Sequence, residues 1–282
     1  MLRNFFVRTF FLFTLIFSVT VSAEPLLYCD SAIVIESSTG RVIYEKNADK
    51  IYPPASMTKM LTCILALENL SPVAEIKISR EVQNTEYSDL HLMEGDIISA
   101  EDLLTGMMLV SDNGGAVAVA EKVGGNVENF VRMMNKKLLE IGCTETHFAN
   151  PNGLPDPDHV STARDISKIA SYCMRNDRFR EIVGTLYATV HWISPAGHKV
   201  DAMNTNELFN KYEGINGIKT GYTLSAGGCM TASARHGDIE LIAVVMHSTD
   251  MDTRFIDAKE LLDYGFESIE KIHREEKKTL TE

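Results

Sequence analysis

The stretch Ala32-Ile33-Val34-Ile35-Glu36-Ser37-Ser38-Thr39-Gly40-Arg41-Val42-Ile43-Tyr44-Glu45 decides the class of fold. Two β-branched, apolar runs flank Ser-Ser-Thr-Gly, which is turn chemistry, so the segment reads as a β-hairpin. Near the other end, Gly228–Ala234 faces Glu240–Met246 across His236-Gly237-Asp238, a second hairpin. Between the hairpins the apolar spacing is helical over Met57–Leu70, Ala100–Leu109, Gly114–Val123, Val127–Ile141 and Ala163–Met174. Residues 258–270, AKELLDYGFESIE, read as a closing helix. Strands at both chain ends with helices between them imply an α/β body of the α+β layered kind, an antiparallel sheet flanked by helices. No repeat and no Pro/Gly/Ser linker divides the chain, so residues 24–270 read as one domain and 271–282 as a charged, frayed tail.

The composition sets outer bounds. The chain has 282 residues, 45% hydrophobic and 23% charged, which excludes disordered and multi-pass membrane classes. Its formal charge of −12 argues against nucleic acid as a partner, because phosphates require a basic surface. Five cysteines are too few for a disulfide scaffold, and their pairing cannot be assigned from spacing. No His-Glu-x-x-His occurs among the eight histidines, so no metal and no cofactor is expected.

The first residues read as an address rather than as fold. Arg3 and Arg8 precede the apolar run at 9–21, and Val21-Ser22-Ala23 supplies small residues at the cleavage positions. The run is shorter than the ~20 residues that span a bilayer. Residues 1–23 are therefore expected to be a signal peptide, with an uncleaved anchor as the alternative. The mature chain is then exported, to the periplasm or the outer face of the cytoplasmic membrane.

Three short motifs can carry chemistry. In Pro54-Ala55-Ser56-Met57-Thr58-Lys59, Ser56 and Lys59 stand three apart at a helix start, hydroxyl and amine on one face. A lysine can activate the serine if desolvation or a nearby cation lowers its pKa. An N-cap serine beside a solvated lysine has the same spacing, and Ser268-Ile269-Glu270-Lys271 matches it in the charged tail. Ser111-Asp112-Asn113 follows an apolar run and lies between two helical stretches, where Ser111 can relay a proton and Asn113 can hold an amide. Taken by itself, the motif reads more simply as a capping turn before the helix Gly114–Val123. In Lys219-Thr220-Gly221, Lys219 supplies a fixed charge that also depresses the Lys59 pKa, Thr220 offers a hydroxyl, and Gly221 admits a close backbone; the plainer alternative is an ordinary strand edge. Each motif alone is weak. The ordered set Ser-x-x-Lys, Ser-Asp-Asn, Lys-Thr-Gly is the one used by penicillin-binding proteins and class A β-lactamases.

With these residues the chain resembles the serine-type D-alanyl-D-alanine carboxypeptidases, the low-molecular-mass penicillin-binding proteins. The resemblance runs over about residues 26–270 and includes Asn150–Pro155, Ser161–Asp165 and Asn204–Leu208. It implies the DD-peptidase/serine β-lactamase-like fold, with a helical lobe beside the sheet and the cleft between them. It implies Ser56 as nucleophile, Lys59 as base and Ser111 as proton relay. It further implies Asn113 on the substrate amide, Lys219, Thr220 and Arg254 near the terminal carboxylate, and the Ser56 and Tyr222 N–H groups as oxyanion hole. For Arg254 the plainer reading is a surface ion pair with Asp250 or Glu260. The implied activity removes the terminal D-Ala from peptidoglycan pentapeptide through an acyl-enzyme, with muropeptides as substrate and β-lactams as inhibitors. Two alternatives stay open: a β-lactamase, for which no deacylating Glu can be placed, and a non-catalytic wall-binding protein of the same fold. Many relatives carry an extra β-rich domain and an amphipathic C-terminal anchor, neither of which is expected here. Gly114-Gly115 also departs from the bulkier pair often found after the Asn.

Overall fold

The computed structural model describes residues 24–279, and side chains of the closing helix as far as Ile272. The export segment read at 1–23 lies outside the described residues. Along the chain come β1 (Ser31–Glu36), β2 (Val42–Lys46), α1 (Lys59–Asn69), β3 (Glu75–Lys77), α2 (Arg80–Gln83), β4 (Ile97–Ser99) and α3 (Ala100–Leu109). Then follow α4 (Asn113–Gly124), α5 (Val127–Ile141), α6 (Ala163–Cys173), α7 (Asp177–Val183), β5 (Tyr187–Ser194) and β6 (Lys199–Met203). The chain closes with β7 (Ile215–Thr223), β8 (Gly227–His236), β9 (Ile239–Ser248) and α8 (Thr253–Thr279).

Both hairpins read from the sequence are present, and they join into one sheet. Its order is β2-β1-β9-β8-β7, antiparallel throughout. The opening stretch supplies the edge strand β2 and its neighbour β1, which pairs with the central β9, Ile33 opposite Val244 and Val34 opposite Ala243. Strand side chains alternate between faces, and here both faces are buried. Ile33, Ile35, Ile242, Val244 and Met246 pack into the helical lobe, whereas Ala32, Val34, Leu241, Ala243 and Val245 pack beneath α8 with Leu261, Leu262 and Phe266. That double burial explains why β1 and β9 are nearly continuous apolar runs. α1 passes through the middle of the lobe, buried from Lys59 to Ala66, so it is apolar on nearly every side.

Two features differ from the sequence expectation. A second antiparallel sheet, β3-β4-β5-β6, lies in a region read as mostly helical. Its first two strands have three residues each, too short to show a period, and β5 and β6 are half-exposed. The closing helix begins at Thr253 and continues through Thr279, so the segment read as a frayed tail is helical nearly to its end. All five cysteines are buried free thiols. Among the described residues, no helix is long and apolar enough to cross a membrane.

Candidate active site

The site forms where three walls meet: the start of α1, the loop before α4, and the edge strand β7. Pro54 opens a 3₁₀ turn, Ala55–Thr58, that leads directly into α1. Ala55 lies in the left-handed region, φ 49°, which costs a non-glycine residue energy. The surroundings hold it there. Gly153 comes so close that a Cβ on it would lie 2.0 Å from the Ala55 carbonyl oxygen, and its own φ is +89°. The neighbouring Asn150–Pro155 loop is fixed by its own side chains, Asn150 Oδ1 accepting from Gly153 N–H (2.7 Å) and Asn152 Oδ1 from Leu154 N–H (3.0 Å).

Lys59 is fully buried one turn after Ser56. Its Nζ has three partners: Ser56 Oγ at 3.0 Å, Asn113 Oδ1 at 2.6 Å and the Asn152 carbonyl at 2.7 Å. Burial lowers its pKa to about 7, while the nearby Asp112 charge acts in the opposite direction. A neutral amine has two N–H bonds and one lone pair. Asn113 Nδ2 donates to the Glu86 carbonyl (2.9 Å), which fixes Oδ1 toward Lys59. Carbonyl oxygens therefore take both N–H bonds, and the lone pair is left facing the Ser56 hydroxyl. That is the arrangement required of a general base.

The sequence reading gave Asn113 to a substrate amide. Here both ends of its side chain are engaged within the chain, and it orients Lys59. Asp112, which that reading left aside, is buried and accepts from Gly115 N–H (2.5 Å) and Leu90 N–H (2.8 Å). It caps α4 and ties the 85–90 loop to the site. Gly114 is part of the same join: its N–H donates to Ser88 Oγ (2.8 Å), and a Cβ there would approach that oxygen to 2.9 Å. Ser111, the residue before Asp112, has φ 65°, a second strained backbone beside the site.

The third wall is an edge strand, so alternate backbone groups of β7 face away from the sheet. Gly221 lies against the 3₁₀ turn, and a Cβ on it would sit 3.0 Å from both Ser56 N and Ala55 Cβ. Tyr222 follows it and is partly exposed. Thr220 Oγ1 bonds Thr205 Oγ1 (2.6 Å), and Asn206 Nδ2 donates to the Gly217 carbonyl (3.1 Å), so the Asn204–Leu208 stretch braces this strand. Lys219 is buried, its Nζ donating to the Thr220 carbonyl (3.1 Å). Burial pushes its pKa well down, and the Lys59 and Arg254 charges add to this. Burial is thus the largest cause of the lowered pKa of both lysines, and the like charges of Lys59 and Lys219 disfavour each other. Arg254 turns inward rather than toward Asp250 or Glu260, Nη1 donating to the Gly221 carbonyl (2.8 Å) while its buried Nε has no partner. Burial lowers its pKa also.

The three motifs, 163 residues apart in sequence from Ser56 to Lys219, thus line one site together with Arg254. Sequence reasoning missed Asp112 and the Asn152 carbonyl as partners of the motif residues. Its only signal for the latter was the unexplained run Asn150–Pro155.

Comparison with known proteins shows the family and the fold. A family model described as D-alanyl-D-alanine carboxypeptidase matches residues 18–250. The carboxypeptidase DacF of Bacillus subtilis is 36% identical over 246 residues, 85% of this chain and 62% of that protein, so the chain spans about three fifths of it. The D-alanyl-D-alanine carboxypeptidase of Streptomyces sp. strain K15 is 32% identical over 88% of this chain and 90% of its own length. The crystal structure of the Streptomyces K15 DD-transpeptidase superposes with a TM-score of 0.83 at 31% identity, covering 87% of this chain and 99% of that one. The chain belongs to the D-alanyl-D-alanine carboxypeptidase family of serine peptidases.

Proposed function

We propose that this protein is a serine-type D-Ala-D-Ala carboxypeptidase that trims the pentapeptide stems of peptidoglycan. The observation that carries this reading is the Lys59 amine, buried, lowered to about 7 and aimed by two carbonyl acceptors at Ser56. Ser56 Oγ attacks the penultimate D-Ala carbonyl as its proton passes to Lys59. The N–H groups of Ser56 and Tyr222 hold the oxyanion. Preorganised donors of this kind matter most where charge develops, and losing one typically costs about 3 kcal/mol. Ser111 passes a proton to the leaving amine, and Asn113 Oδ1, with a second lone pair beyond the one facing Lys59, accepts from the substrate amide. Lys219, Thr220 and Arg254 bind the terminal carboxylate, whose negative charge favours the charged form of the buried Lys219 and pairs with the Arg254 guanidinium. Water then attacks the acyl-enzyme and frees Ser56. Penicillin resembles the D-Ala-D-Ala end and acylates the same oxygen. The work is done outside the cytoplasm, after the segment at 1–23 has directed export.

A second reading follows from the Streptomyces structure, named a DD-transpeptidase. There the acyl group goes to an amine rather than to water. One experiment addresses both. The protein is incubated with a D-Ala-D-Ala pentapeptide, with and without an added amino-acid acceptor, and products are weighed. Release of D-Ala with a shortened peptide is expected; a peptide–acceptor adduct as main product would make it a transferase. Fluorescent penicillin should label the wild type and not Ser56→Ala. Labelling that survives this substitution would falsify the nucleophile assignment, and rapid penicillin turnover without D-Ala release would make the protein a β-lactamase.

A further inference from the structure

Behind the nucleophile lies a buried histidine that none of the motifs contains. His159 is 1% exposed and stacks on Phe148, ring centroids 4.9 Å apart. Its Nδ1 accepts from the Ala149 N–H at 3.0 Å, so that nitrogen carries no proton. Its Nε2 lies 2.7 Å from Thr58 Oγ1. The Thr58 hydroxyl has one proton, and it points to the Ala55 carbonyl at 2.8 Å. Nε2 must therefore donate to Thr58. The two ends of the ring, taken separately, assign the same neutral tautomer. Burial agrees, pushing the ring's pKa down to about 4.

The chain of donors then runs one way: His159 to Thr58 to the Ala55 carbonyl. It ends on the residue whose backbone is held at φ 49° immediately before Ser56. Thr58 itself lies between Ser56 and Lys59. Gly153 closes on the same carbonyl at backbone distance, and the carbonyl of Asn152, the residue before it, accepts from Lys59. Loss of that donor removes one of the restraints on the strained Ala55–Ser56 peptide, and any turn of that peptide carries the Ser56 N–H and Oγ with it.

We propose that His159 is a positioning residue for acylation: as a neutral imidazole protonated on Nε2, it fixes the Ala55–Ser56 peptide through Thr58 and so aims the nucleophile. This rests on Ser56 being the nucleophile. The test separates the two ideas, because that reading fails with Ser56→Ala, whereas this one fails with variants in which Ser56 is intact.

Three variants are measured in the full chain: Thr58→Val, His159→Ala and His159→Gln. The readout is the rate constant of penicillin acylation per titratable site, taken beside the initial binding constant and the thermal midpoint. A misaimed nucleophile of about 1 Å costs on the order of 100-fold in rate. Thr58→Val and His159→Ala should each lose about 10- to 100-fold in the rate constant with binding little changed. Their double variant should lose no more than the worse single one, because both break the same chain. His159→Gln offers a carbonyl and an N–H at the spacing of the two ring nitrogens and should recover most of the rate. A purely structural histidine would lower the melting point and the number of titratable sites, but not the rate at each surviving site. That outcome, or an unchanged rate in Thr58→Val, overturns the proposal. If His159→Ala does not fold, Thr58→Val decides alone.

Discussion

Two lysines are buried on facing walls of the site, and the protein partners them differently. Lys59 Nζ has three oxygen partners at 2.6–3.0 Å. Lys219 Nζ has one, the carbonyl of the next residue at 3.1 Å, and beside it Arg254 keeps a buried Nε with no partner at all. Leaving buried donors unpaired is costly, and more so for charged groups. The saturated lysine has its partners without substrate, which suits the proton transfer proposed for it. The unsaturated pair has donors to spare, which suits the anion binding proposed for it. One wall should therefore govern rate and the other should govern recognition.

The largest test of that division is Lys59→Met, which keeps the bulk and removes the amine. General-base catalysis is typically worth 10²–10⁴-fold, so penicillin acylation should fall by about that much while initial binding holds. Acylation within a few-fold of wild type would assign the proton to some other group. On the opposite wall, Arg254→Met should act on recognition. Hydrogen bonds to charged groups are worth about 1.5–3 kcal/mol, so KM for a D-Ala-D-Ala peptide should rise about 10- to 150-fold. A peptide whose C-terminus is amidated has no carboxylate to lose, and wild type and variant should handle it alike. An equal loss on both substrates would make Arg254 a brace for the Gly221 carbonyl rather than an anion partner.

These walls were not equally legible in the sequence. The five-stranded sheet was visible because β1, β8 and β9 are long, β-rich and bounded by turn residues. The four-stranded sheet was not, because Glu75–Lys77 and Ile97–Ser99 are shorter than any period can reveal. Ser56, Lys59, Ser111 and Lys219 were legible as spaced motifs. Their supports were not, since a backbone carbonyl such as that of Asn152 carries no residue-type signature. Nor could the sequence tell that Asn113 faces Lys59, which depends on the fold, or that burial is the largest cause of the lowered Lys59 pKa, which depends on how much water the fold excludes.

A smaller effect is expected where the two walls touch. Gly221→Ala would put a Cβ 3.0 Å from Ser56 N and Ala55 Cβ, so strand and turn must part by a few tenths of an ångström. Overpacking of this kind typically costs about 1–3 kcal/mol. The chain should still fold with a modestly lower melting point. Acylation should fall about tenfold, because the Ser56 and Tyr222 N–H groups separate. Unchanged acylation would place the oxyanion elsewhere.

The finest distinction is in pH. Lys59 acts as base only when neutral, and its pKa is lowered to about 7. Acylation should therefore rise with pH through about 7 and level off above it. The stability sign is the same. The unfolded lysine stays protonated to its ordinary 10.5 while the folded one releases its proton near 7, so between those values the unfolded state binds more protons and folding stability rises with pH. Asp112 opposes the shift by favouring the charged amine. In Asp112→Asn the acylation midpoint should move to lower pH, by less than one unit, since burial remains the dominant cause. The substitution also weakens the α4 cap and the Leu90 contact, so the melting point should drop with it. Those structural losses alone would lower the acylation plateau without moving the midpoint. A midpoint that stays fixed or moves upward would show that the Lys59 amine is not the group titrating, and the saturated lysine would lose its claim to the proton.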